Sequence, residues 1–94
     1  MNIVAFQASV ESDAPPAGLS APLQSLWWDA KGDWAKAHEC AQADPGPTGA
    51  AVHAYLHRKE GAAWNADYWY GKAGRKFHRP ALDDEWQALA EGLL

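Results

Sequence analysis

The chain of 94 residues carries a single cysteine, Cys40, so no disulfide can form within it and its stability has to come from packing. Residues branched at Cβ are as scarce. Ile3, Val4, Val10, Thr48 and Val52 are the full set, too few to furnish a sheet. No apolar run approaches the roughly 20 residues that cross a bilayer, and the start has neither the cationic nor the apolar region of a secretory leader. A soluble, reduced, cytoplasmic protein is expected. No phosphate-cradling glycine loop occurs, because Gly71 and Gly74 stand isolated at a helix end.

What the chain has is alanine and aromatic rings. Six tryptophans, three tyrosines and two phenylalanines can each bury roughly 150–250 Å², enough for one small core. With abundant alanine, they point to an all-α single domain over residues 1–94. Charge is unevenly placed. Residues 1–47 and 80–94 each carry a net −4, and residues 48–79 carry +4. The overall acidity argues against nucleic-acid binding, which draws its affinity from phosphate neutralisation. The basic centre could take one anion, but the acidic C-terminal segment is expected to fold against it.

Spacing and punctuation divide the chain. Ile3, Phe6 and Val10 suggest a short helix over 2–11. ESDAPPAGLSAP is a linker, because Pro15 and Pro16 impose extended geometry. Ser20 followed by Pro22 opens a helix that runs to Lys31. Asp33 caps a helix from Trp34 to about Ala43, with Trp34, Ala37, His38 and Ala41 on one face. DPGPTG stops it. Further helices are expected over 50–60 and 63–73, then a loop at GRKFHRP. A closing helix over 83–93 carries Asp83, Asp84 and Glu85 in its first turn, where the helix dipole favours them. Trp28 is expected to point inward on its helix, Trp69 and Tyr70 to pack, and Tyr68 to face solvent.

A repeat of 29 residues runs through the centre. Gly32 and Gly61 are each followed five residues later by alanine (Ala37, Ala66). Each is preceded at seven by a small residue (Ser25, Ala54) and at four by a ring (Trp28, His57). This describes two helical hairpins over 20–75, with glycine at the bend and small residues where the paired helices approach. The glycine–alanine spacing, together with Ala66, Tyr70 and Ala73 in NADYWYGKAG, resembles tetratricopeptide and Sel-like repeats. The stretches LWWDAKGDWAKAH and VHAYLHRKEG…NADYWY are also similar to a set of short bacterial proteins. The resemblance implies hairpins whose first helices line a groove, and hence a small non-catalytic protein-interaction or adaptor module. Two units are fewer than repeats usually need, so the terminal helices should act as caps. In the matching register Tyr55, Arg58 and Lys59 would face the groove from the second unit, and Leu26 and Asp29 from the first. Asn65 would sit near the turn. Such a groove could grip an anionic peptide or carboxylate through charge-assisted hydrogen bonds, without a cofactor. The plainer reading of Arg58 and Lys59 is a solvated helix end complementing the dipole.

The histidines carry the remaining chemistry. His53 and His57 lie four apart and share one helix face. They read first as packing residues hydrogen-bonded to neighbours. The alternative is a divalent transition metal such as zinc, held by His53 and His57 with a third ligand from His38, Glu39 or Asp29. The metalloprotease glutamate is absent, since Ala54 follows His53. Cys40 lies mid-helix beside alanine and reads as a packing residue rather than a nucleophile. No catalytic residues are assigned.

Overall fold

The computed structural model describes residues 1–75 and 80–94. The described chain forms six helices: α1 (Ile3–Ser9), α2 (Ala21–Ala30), α3 (Trp34–Gln42), α4 (Pro47–Lys59), α5 (Ala63–Ala73) and α6 (Leu82–Leu93). No strand occurs among the described residues, and no helix among them is long and apolar enough to cross a membrane. Residues 76–79 of the expected loop lie outside the described residues.

Local chemistry sets the boundaries. Asn2, Ser20 and Asp33 accept from backbone N–H groups in the first turns of α1, α2 and α3, each satisfying a donor that the helix cannot. α4 begins earlier than the expected residue 50. Pro47 is preset for a first helical turn, and Asp44 braces the entry by accepting from the Gly46 N–H at 2.8 Å and the Thr48 hydroxyl at 3.0 Å. Gly49 is required there, because a Cβ would stand 2.1 Å from the Asp44 carbonyl oxygen.

The two expected hairpins are α2–α3 and α4–α5, and their bends are built alike. Gly32 and Gly61 take φ of 91° and 93°. Asp33 N–H donates to the Trp28 carbonyl and Ala62 N–H to the His57 carbonyl, both at 2.9 Å, closing the same glycine C-cap twice. Nothing lies within 4 Å of a Cβ built on Gly61, so alanine there would meet only backbone strain. Gly61→Ala should cost about 1–2 kcal/mol, read as a lower urea midpoint, and an unchanged midpoint would contradict the turn assignment.

The small residues of the repeat sit where the helices meet. Ser25, Ala37, Ala54 and Ala66 are all fully buried, and Ser25 Oγ donates to the Ala37 carbonyl at 2.6 Å across the first hairpin. α6 packs against α2 and α4, and α1 packs against α6. Phe6 stacks on Trp86 at 5.7 Å between ring centroids, and Trp86 Nε1 donates to the Leu26 carbonyl at 2.9 Å. The terminal helices therefore close the hairpin pair.

One packing expectation is refined: both tryptophans of α2 reach the core, and Trp27 lies the deeper. Trp27 is fully buried and Trp28 only half-buried. Leu23, Leu26 and Trp27 form the inward stripe of α2, which leaves Trp28 one step round. It lies edge-on to Trp27 at 4.9 Å, with Lys36 Nζ 4.2 Å from its ring centroid. On α5 the expectation holds: Tyr70 is buried and Tyr68 is 54% exposed.

Candidate metal centre

Two helices from different hairpins bring three histidines together. α3 carries His38 one turn after Trp34, and α4 carries His53 and His57 one turn apart. The nearest ring nitrogens of the three lie within 4.8 Å of one another. His53 and His38 meet through their Nε2 atoms at 2.8 Å, so in the metal-free cluster one nitrogen donates and the other accepts. His53 and His57 stack at 4.7 Å, and His38 stands nearly perpendicular to both.

Tryptophans wall the cluster. Trp34 stacks on His38 at 4.9 Å and meets His57 edge-on at 5.9 Å. It is anchored by donation from its Nε1 to the Leu56 carbonyl at 3.0 Å. Trp69, from α5, stacks on the outer face of His53 at 4.0 Å. His53 is 4% exposed. Burial, reinforced by the neighbouring His38 and His57, lowers its pKa to about 4. Burial and His57 also lower that of His38, with Glu60 opposing. Both rings are therefore uncharged at neutral pH, and each keeps a lone pair for coordination.

Glu60 fixes the third ring. Its carboxylate stands 2.6 Å from His57 Nδ1. In the neutral ring, an N–H at that nitrogen would leave the free lone pair on Nε2, the carboxylate–histidine arrangement that orients and strengthens a metal ligand. Glu60 follows His57 by three residues, a helical spacing that marks such a partner in sequence. Tetrahedral coordination at 2.0–2.1 Å would require ligand nitrogens about 3.3 Å apart. His38 and His53 would have to part by roughly half an ångström, a movement open to half-buried His38. The nitrogens now spread over as much as 4.8 Å, so the wider pairs would have to close toward that spacing; the donor set, three imidazoles, suits a divalent transition ion.

Of the third ligands considered, His38 joins the cluster. Asp29 is buried elsewhere, accepting from the Tyr55 hydroxyl and from Lys59 Nζ, both at 2.9 Å. Glu39 is exposed and Cys40 half-buried, and burial raises the Cys40 thiol pKa, against a role as nucleophile.

Of the expected groove residues, Asp29, Tyr55 and Lys59 line one cleft of about 550 Å³ together with residues of α6 and the end of α1. Tyr55 is 2% exposed, and burial with the adjacent Asp29 carboxylate drives its phenol pKa far up. Its ring is part of the core, and little of it reaches the cleft. Arg58 donates to Glu85 at 2.7 Å and to the Pro80 carbonyl, while Glu85 also accepts from Tyr70 at 2.5 Å. Lys59 is paired with Asp29. These cations answer carboxylates of the same chain, as the charge distribution suggested for the C-terminal segment. Asn65 is half-buried in the first turn of α5.

Comparison with known proteins returns no matching family model, curated protein or solved structure.

Proposed function

We propose that this chain binds a divalent transition metal, of the zinc class, through His38, His53 and His57. The observation that carries the reading is the convergence of three imidazoles from two hairpins, one of them oriented by Glu60. A metal there would tie α3 to α4 and so join the hairpins.

Ligand binding only to the folded state adds about 2.7 kcal/mol at a hundredfold excess over Kd. In a domain of this size that is a rise in Tm of roughly 10 °C or more. Zinc should produce such a rise with one ion per chain by elemental analysis, and His57→Ala should abolish it. Glu60→Gln should weaken zinc roughly 10–100-fold while leaving the metal-free Tm nearly unchanged. If zinc, nickel and copper all leave Tm where it was, the histidines are packing residues joined by their own hydrogen bonds.

An adaptor role is a second reading, supported by the outer face of α5. Trp64, 76% exposed, and Tyr68 lie one turn apart on its outer face, and exposed aromatic surface of this kind marks contact sites.

A further inference from the structure

α5 lies at one edge of the hairpin pair. It packs on α4 through a face that buries Ala66 and Tyr70, whereas α2, at the opposite edge, is covered by α6. The outermost helix of a stacked array ordinarily turns a polar face outward. α5 instead exposes Trp64 and Tyr68, with Gly71 and Lys72 exposed beside them. Trp64, Tyr68 and Gly71 follow one another at spacings of four and three, so they form one seam opposite the buried face.

Gly71 is the informative member. Inside a helix glycine costs stability relative to alanine, and nothing in this fold offsets that cost. The helix end does not require it, because Gly74 already supplies the left-handed cap at φ 70°. Packing within the chain does not either, because no atom among the described residues lies within 4 Å of a Cβ built on Gly71. A bare backbone on an open helix face permits the close approach of another chain.

The seam also describes what approaches. Trp64 stands two turns before Gly71, with Tyr68 between them. Two copies of α5 laid antiparallel about a two-fold axis beside Tyr68 set the Trp64 ring of each over the Gly71 backbone of the other. The two Tyr68 rings then meet at the centre. Bulk at one end and none at the other makes the seam its own complement, as an isologous interface requires. A parallel pairing would oppose Trp64 to Trp64 and leave a gap between facing glycines. It would also bring the two Lys72 ammonium groups together, each beside its own Tyr68 ring. The antiparallel pairing keeps them about 14 Å apart along the axis, beyond the Debye length at physiological salt.

We infer that the outer face of α5 is the contact surface of a reversible homodimer, formed with a second copy of this chain through Trp64, Tyr68 and Gly71. This rests on the contact face assigned to α5 above and names its occupant. The four exposed rings bring roughly 500 Å² of aromatic surface to the pair. With flanking atoms the interface falls in the small, transient class below about 1,200 Å², so a Kd on the order of 10–100 µM is expected.

Sedimentation equilibrium of the full chain from about 5 to 500 µM tests this. The mean mass should climb from that of the 10.2 kDa monomer toward the dimer. Trp64→Ala, at an exposed position, should raise the dimer Kd roughly tenfold and leave the Tm of dilute protein unchanged. Gly71→Ala should act with opposite signs. Its Cβ favours the helix and raises the dilute Tm by a few degrees, yet holds the partner's indole off the backbone and raises the dimer Kd roughly tenfold. A merely local role for Gly71 gives the first change without the second. A chain that stays monomeric to the top of the range overturns the dimer and leaves the face open to a different protein. A dimer whose Kd neither substitution moves overturns both readings, because the face then takes no part in contact.

Discussion

Replacing Trp27 by alanine is expected to remove about 4 kcal/mol of stability. A domain of this length commonly has about 5–14 kcal/mol in total, so the variant should populate unfolded chain at modest urea. Trp27 is fully buried and sits where α2 meets the N-terminal segment. Its Nε1 donates to Ser9 Oγ at 3.2 Å. Lys31 lies over its ring at 5.6 Å while donating to the Val10 carbonyl at 2.6 Å. Losing the indole opens a large cavity and releases α1 together. Trp28→Ala should cost less, about 2 kcal/mol, since that ring packs against the core from its edge and is only partly buried. Urea unfolding followed by circular dichroism compares the two directly. If Trp28→Ala costs as much as Trp27→Ala, this account of the inward face of α2 fails.

That pair shows where sequence reading succeeds and where it stops. Helix ends were legible because they are local: Ser20 and Asp33 cap, and Gly32 and Gly61 turn through a conformation other residues resist. The hairpins were legible because Ser25, Ala37, Ala54 and Ala66 recur where the helices touch. Which of two adjacent tryptophans lies the deeper depends on a rotation of α2 that its neighbours set. The pairing of the groove residues was hidden for a related reason. A repeat register assigns Tyr55, Arg58 and Lys59 to one surface, but it contains neither the α6 carboxylate that claims Arg58 nor the α2 carboxylate that claims Tyr55 and Lys59. The charge blocks held part of that answer, an acidic C-terminal segment opposite a basic centre. His53 and His57 were visible as a pair. The choice of His38 over Glu39 or Asp29, and the walls of Trp34 and Trp69, came only with the packing of α3 and α5 around α4.

Acid should weaken the fold through the same histidines, and the sign follows from the direction of the shift. His53 is held at about 4 in the folded chain, below the ordinary 6.5. Between those values the unfolded chain binds a proton that the folded chain refuses, so stability falls as pH drops from about 6.5 to 4. The loss attributable to His53 is about 3 kcal/mol, and the lowered His38 adds to it in the same direction. Protonation has nowhere favourable to go: Trp69 and His57 cover the ring faces, and His38 meets Nε2. Among the charged groups near the cluster, the Glu60 carboxylate raises His38 and limits its share. Carboxylates elsewhere titrate in the same range, so the informative quantity is the difference between wild type and His53→Gln across pH 7 to 4. Wild type should lose about 3 kcal/mol more than the variant over that window, whatever the variant costs at pH 7. Zinc should steepen the wild-type curve, because protons and metal compete for the same lone pairs. Parallel curves for the two proteins, or an NMR titration of the His53 ring near 6.5, would show that the ring carries its charge inside the fold.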